Sequence, residues 1–437
     1  MRAYKLPQNI QLGSATASLQ IEGGDRNNSW YQFCENNRIK DGSHCIVAAD
    51  HWNRYEEDIA IMKQLNQETY RMSIEWSRIE PAEGQYNQAA LDHYRDEILK
   101  LLDAGIRPLV TLHHFSNPIW IEEAGAWTNP RIVNYFSKYV KTVVYALGDL
   151  VCDWVTINEP NVYLFQSYIE LTSPPAKPSM KHYFKGIKLM IEAHIDAYRA
   201  IHRIRSEQHF LGQTQVGVAF HMRVFDIERK KIRSALSRKL TDYVFHTLFL
   251  EGMIHGNYKF PIHRNKQYIN QRTELYCDFF GLNYYSRDII EFTWNPFVAF
   301  AKQLVKKGID TNDMGWEIYP EGLYRICKEI YKKYQLPIYI TENGICDQTD
   351  GKRAKFIYDH LEQVAKLCEE GIPIERYYHW STIDNFEWQE GLSRRFGLVH
   401  INYETQARTI KQSGYFYAEI CKTKEVSPEM LMKYQPS

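Results

Sequence analysis

The sequence predicts an α/β protein folded as a single (β/α)8 TIM barrel over residues 1–437, and three observations carry that reading. First, eight short β-rich runs alternate with amphipathic stretches: Ile10–Ala15, Glu68–Ser73, Pro108–Leu112, Asp153–Ile157, Gln215–Ala219, Asp278–Leu282, Pro337–Thr341 and Arg376–Trp380. Second, no Pro/Gly/Ser-rich linker or low-complexity segment divides the chain. Third, the residues just past these runs are polar or aromatic beyond what packing requires, as at the C-terminal mouth of such a barrel. An open doubly wound sheet is the competing architecture. It needs a Gly-rich phosphate loop after its first strand, and Gly13-Ser14-Ala15-Thr16-Ala17 is not one.

The elements follow in order. Run one is followed by Gln20 and Glu22, and run two contains Arg71. Leu91–Leu102 and Pro130–Leu147 have helical apolar spacing on either side of run three, which ends at His113-His114. Run four ends in Asn158-Glu159-Pro160, and the Phe184–Arg205 helix follows. Run five precedes no motif that draws attention. Run six leads to Asn283-Tyr284-Tyr285. Gly322–Tyr334 and Ala354–Glu370 are helical stretches flanking run seven, which ends in Glu342-Asn343-Gly344. Run eight closes at Trp380-Ser381, ahead of Asp384-Asn385-Phe386-Glu387-Trp388.

Composition excludes several function classes. The 53 basic and 53 acidic residues cancel, which argues against a nucleic-acid footprint or a polybasic membrane surface. No apolar run reaches the roughly 18 residues of a membrane span, and Met1–Pro7 has no signal-peptide core. The eight cysteines form no CxxC pair and read as reduced thiols in a cytoplasmic protein. Self-association into a homo-oligomer stays open.

Two carboxylates placed after buried strands on opposite sides of a barrel can face each other, and paired carboxylates are the machinery of glycoside hydrolysis. An isolated Glu in either place would be a solvated loop residue; two such motifs in one chain favour a functional pair, Glu159 and Glu342. Adjacent strand residues point to opposite sides, so one of His113 and His114 enters the pocket. His114 is the choice, as a hydrogen-bonder to sugar, and no convergent ligand set for a metal is legible. A buried Arg71 needs an acid partner, and Glu342 is the natural one. The charge on Glu342 is expected to raise the pKa of Glu159 in the free protein.

The chain resembles family 1 glycoside hydrolases, the β-glucosidase family of retaining enzymes, nearly end to end. The resemblance rests on Gln20-Ile21-Glu22-Gly23, Asp50–Tyr55, Tyr70–Arg78, Thr156–Pro160, Gly281–Tyr285, Gly315–Leu323, Thr341–Gly344, Asp384–Trp388 and Arg395–Leu398. It implies that Glu159 is the acid/base and Glu342 the nucleophile. By the same resemblance Gln20, His114, Asn158, Glu387 and Trp388 bind the glycone hydroxyls, and Trp380 lies under the sugar ring. Arg71 and Tyr285 hold Glu342, and Asn283 sits beside the acid/base. Phe396 walls the innermost subsite and Trp316 stacks on the leaving group. No cofactor is implied, and the partner is a small β-glycoside or oligosaccharide. Departures from the family pattern occur at Phe115-Ser116-Asn117-Pro118, Pro174-Pro175-Ala176-Lys177 and Ser381-Thr382-Ile383. They touch neither carboxylate and bear on the outer subsites. The alternatives are a 6-phospho-β-glycosidase, which wants a cationic phosphate site, and a non-catalytic sugar-binding relative.

Overall fold

The structure is a computed structural model that describes residues 1–228, 231–262 and 274–434. Its centre is a closed, all-parallel eight-stranded barrel. The strands are β1 (Gln11–Ala15), β2 (Thr69–Ser73), β3 (Arg107–His113), β4 (Asp153–Asn158), β5 (Gln215–His221), β6 (Phe280–Tyr284), β7 (Ile338–Gly344) and β8 (Ile374–Trp380). Each pairs with the next in sequence, and β8 closes onto β1. Every run read from the sequence is one of these strands. The ends differ by a few residues, because strand termini are set by ladder hydrogen bonds rather than by the apolar run alone.

The strands are buried along nearly their whole length, which is why they read as near-continuous apolar runs. Helices α1 (His51–Gln64), α2 (Gln88–Asp103), α3 (Ile132–Leu147), α4 (Met180–Glu207), α5 (Leu248–His255), α6 (Pro320–Tyr334), α7 (Arg353–Glu369) and α8 (Gln412–Thr423) cover the outside. In α3 the buried residues Tyr135, Phe136, Tyr139, Val140, Val143, Val144 and Leu147 recur three and four apart and form one apolar stripe. The side chains of Asn87 and Ser179 cap α2 and α4, accepting from the backbone N–H groups of Ala90 and His182. Inside the barrel a second cluster stacks Leu109, Val155, Phe279, Tyr339 and Tyr378 beneath Tyr285, Trp380 and Phe396.

Two features absent from the sequence reading crown the mouth above β5 and β6. Val224–Asp226, Arg287–Phe292 and Ala301–Leu304 form a small three-stranded sheet, and the helix Ile232–Asp242 packs against it.

Candidate active site

Both motif glutamates stand where the barrel ladder loses its register. β4 slips against β5 between Val155 and Asn158, and β7 slips against both neighbours just before Glu342 and Asn343. A slip of this kind breaks strand alternation and re-aims the following side chains. Glu159 itself is in the left-handed region (φ 41°, ψ 57°), which for a side-chain-bearing residue costs roughly 1–3 kcal/mol. Its N–H still bonds the Ala219 carbonyl at 2.8 Å, and Pro160 then starts a short helix at its first position. The chain turns sharply there, and both carboxyl groups line one cavity of about 330 Å³ at the barrel mouth.

Glu342 is held through both oxygens. Oε1 accepts from Arg71 Nη1 at 2.6 Å and Oε2 from the Tyr285 hydroxyl at 2.6 Å. The other Arg71 nitrogen donates to Asn158 Oδ1 at 2.6 Å. Asn283 Nδ2 bridges Asn158 Oδ1 (3.0 Å) and Glu159 Oε1 (2.9 Å). A continuous network therefore joins the two acids. His221 Nδ1 also meets Glu159 Oε1, at 2.8 Å. Burial pushes the Glu342 carboxyl up to about 7, with the Glu159 charge adding to the rise and Arg71 opposing it. For Glu159, burial also raises the carboxyl, but His221 and Asn283 pull it below its ordinary value. The sequence reading had Glu159 raised by Glu342; the group it lacked was His221. Coupled this closely, the two carboxyls titrate as a pair.

The other expected residues gather round this pair. Asn158 Nδ2 donates to His114 Nε2 at 3.0 Å, so the proton of the neutral ring sits on Nδ1. Burial holds His114 well below its usual pKa. The ring stacks between Trp380 and Trp388, each 5.9 Å away. His113 points away and contacts Asn117 at 3.0 Å. Gln20 Nε2 donates to Glu387 Oε2 at 3.3 Å, and to Asn385 Oδ1 and the Phe386 carbonyl. Burial, with Glu342 and Glu159 adding their charges, pushes the Glu387 carboxyl up to about 8. Phe396 and the half-buried Trp316 pack against Tyr285 at 6.4 and 5.7 Å. Among the expected residues Gln20, Arg71 and Asn283 do not border the cavity; they act on the acids that do.

Sequence reasoning missed His221 and Arg223, which also line the cavity, together with Lys40, Gln166, Glu170 and Glu390. The signal for His221 was present: it ends the fifth strand, where the rule of C-terminal strand ends applies equally. Arg394 and Arg395, which follow the Glu387 motif in sequence, are both engaged, and neither borders the cavity. Arg394 donates to the Asp313 carbonyl at 2.9 Å, and Arg395 pairs with Asp384 at 3.2 Å. Metal-binding side chains converge at one place among the described residues: Cys34, His44 and Cys45, with ligand atoms within 4.8 Å of one another. The sequence reading had foreseen no such group, and none of the three borders the mouth cavity.

A parallel barrel whose mouth holds paired, differently supported carboxylates among aromatic rings defines a glycoside hydrolase. The comparisons agree. The chain belongs to glycosyl hydrolase family 1, which it matches over residues 2–426. It is 33% identical to β-glucosidase A of Thermotoga maritima, covering 97% of this chain and 99% of that protein. It is also 33% identical to β-glucosidase A of Acetivibrio thermocellus, covering 97% and 99%. Among solved structures, a β-glycosidase from Pyrococcus horikoshii superposes with a TM-score of 0.90 at 35% identity, covering 100% of this chain and 99% of that one.

Proposed function

We propose that this glycoside hydrolase is a retaining β-glucosidase of small, unphosphorylated β-glycosides, with Glu342 as nucleophile and Glu159 as acid/base. The observation that carries the reading is the difference in how the two acids are occupied. Glu342 accepts a strong donor on each oxygen, so a proton there would displace Arg71 or reverse the Tyr285 hydroxyl. On Glu159, among the described residues, both donors fall on Oε1, leaving Oε2 to carry a proton. Burial, which lifts Glu342 to about 7 while His221 and Asn283 lower Glu159, favours a proton on Glu342, but the two carboxyls titrate as a pair and the directed hydrogen bonds decide where their proton rests: on Glu159, with Glu342 the anion. In the first step Glu342 forms a bond to the anomeric carbon while the glycosidic C–O bond breaks and Glu159 Oε2 protonates the leaving oxygen. In the second, Glu159 takes a proton from water, whose oxygen attacks the same carbon and releases Glu342.

A buried atom without a partner on a cavity-lining residue suits a sugar's hydroxyl: His114 Nδ1, a donor. Trp380 and Trp388 supply aromatic faces beside it. The β-glucosidase names of the relatives, including a Thermotoga maritima β-glucosidase solved with glucoimidazole, favour glucose as the glycone. The 6-phosphate alternative lacks support. Three acids line the cavity, the buried Glu159 and Glu342 and the half-buried Glu387, and the cations on its wall are paired, Lys40 with Glu390 and Arg223 with Asp288. Residues 1–437 are read as one domain, because strands from the whole chain build the site. Eight free cysteines and balanced charge fit a reducing cytoplasm.

The test is a panel of nitrophenyl β-glycosides with the product anomer followed by NMR. The expected outcome is β-glucose as first product and kcat/KM on the glucoside at least about tenfold above that on its 6-phosphate, a gap of about 1.4 kcal/mol. An α-anomer first, or preference for the phosphorylated substrate, would overturn it.

A further inference from the structure

His221 and Arg223 leave the barrel at the end of β5, and their side chains form a directed chain that ends on Glu159. Arg223 Nε donates to His221 Nε2 at 2.9 Å, and His221 Nδ1 lies 2.8 Å from Glu159 Oε1. A guanidinium has donors only and does not lose its proton in proteins. The nitrogen that accepts from it is therefore unprotonated, the imidazole is neutral, and its single N–H points at Glu159. The geometry is rigid. The imidazole stacks on Tyr285 (5.9 Å, 20° between planes) and meets the edge of Phe245 at 6.2 Å. Arg223 is anchored by Asp288 at 3.0 Å, on the small sheet above the mouth.

We propose that His221 and Arg223 are positioning residues for the acid/base: Arg223 keeps His221 neutral, so that His221 fixes Glu159 Oε1 as an acceptor and leaves the proton on Oε2. This rests on Glu159 being the acid/base. The consequence is chemical. A cationic His221 would form an ion pair with Glu159 and hold it ionised, and an ionised Glu159 cannot protonate a leaving group. A neutral N–H donor orients the same carboxyl without forbidding its proton. Burial lowers the imidazole's own pKa against the pull of Glu159, and Arg223 and His246 lower it further.

The charged and titratable groups facing this chain come from every side of the mouth. Glu342 and Arg71 act on Glu159, as does Tyr285 through Glu342. Glu387 feels Glu159 from the β8 loop. Asp288 and Glu170 face Arg223, and His246, paired with Asp242, faces His221. None of these offers a second donor to His221 Nε2 among the described residues, so Arg223 holds that role.

The experiment compares pH profiles of kcat/KM on 4-nitrophenyl and 2,4-dinitrophenyl β-glucosides. Arg223→Met is made together with Asp288→Asn, so that no buried carboxylate is orphaned. It frees Nε2 to take a proton, and the basic limb should move down by about one pH unit, with the nitrophenyl substrate slowed more than the dinitrophenyl one. His221→Phe removes the donor to Oε1, and the same limb should move up by about as much. His221→Asn, which keeps an N–H for Oε1, should return the limb toward its original place. A limb that stays put in the Arg223→Met/Asp288→Asn variant while activity falls would mean a merely structural pair and overturn the proposal, whether or not His221→Phe folds. Glu159→Gln run beside them separates the two claims. If it fails to discriminate between the two leaving groups, the acid/base assignment itself is at fault.

Discussion

Both ends of the barrel bury acids, and the two ends give them different partners. At the floor, Asp153 opens β4 and is fully buried between two guanidinium groups: Arg107 contacts it at 2.5 and 3.0 Å, and Arg376 at 3.0 Å. Arg376 in turn lies 4.5 Å over the Tyr339 ring, which stacks on Phe279 at 4.0 Å. One acid has two cations there. Those contacts tie β4 to β3 and β8 at the floor. At the mouth, Glu159, Glu342 and Glu387 line one cavity, and among the described residues only Glu342 of the three is bonded directly to a guanidinium, that of Arg71. There burial pushes Glu342 up to about 7 and Glu387 up to about 8, while His221 and Asn283 pull Glu159 below its ordinary value. The same residue types bridge strands at one end and carry shifted carboxyls at the other because their partners differ.

The contrast can be broken at several points. The largest effect is expected at the mouth. Glu342→Ala should lose roughly 10⁵-fold or more in kcat with the fold intact, as removal of a nucleophile does. Azide should restore cleavage of activated glucosides and yield the α-glycosyl azide. A β-azide product would reassign the nucleophile. At the floor the balance reverses. Asp153→Ala leaves Arg376 buried without its acid and should lower stability by about 3–5 kcal/mol, with kcat changed far less. Denaturant unfolding beside steady-state kinetics measures both, and a large loss in kcat at unchanged stability would erase the distinction.

A smaller effect sharpens the comparison through pH. The Glu387 carboxyl is raised to about 8 in the folded protein from 4.5 in the unfolded chain. Between those values the folded state holds a proton that the unfolded state has released, so this group makes stability fall as pH rises. Glu387→Gln, which is always neutral, should raise Tm by a few degrees at pH 8 and hardly at all at pH 4. A gain that is the same at both pH values would show that the carboxyl is not raised.

The barrel was legible because buried parallel strands read as unbroken apolar runs and the helices between them keep their stripes. Glu159, Glu342, Arg71 and His114 were legible because strand ends and alternation place them. What escaped lies where those rules give no purchase. The small sheet around Val224–Asp226 and Arg287–Phe292 is built of short, partly exposed strands with little apolar signal. The approach of Cys34 to His44 and Cys45 arises from the path of a loop. His221 and Arg223 carry no motif, and their meaning comes from which nitrogen each presents to the next.

The most direct test of the central assignment is to trap the intermediate. The enzyme is incubated with a 2-deoxy-2-fluoro-β-glucoside bearing a dinitrophenyl leaving group, then digested and sequenced by mass spectrometry. The account predicts one fluoroglucosyl group per chain, esterified to Glu342, with activity returning as the adduct hydrolyses. An adduct on Glu159, or continued turnover of the native substrate with no adduct and an α-sugar as first product, would contradict it.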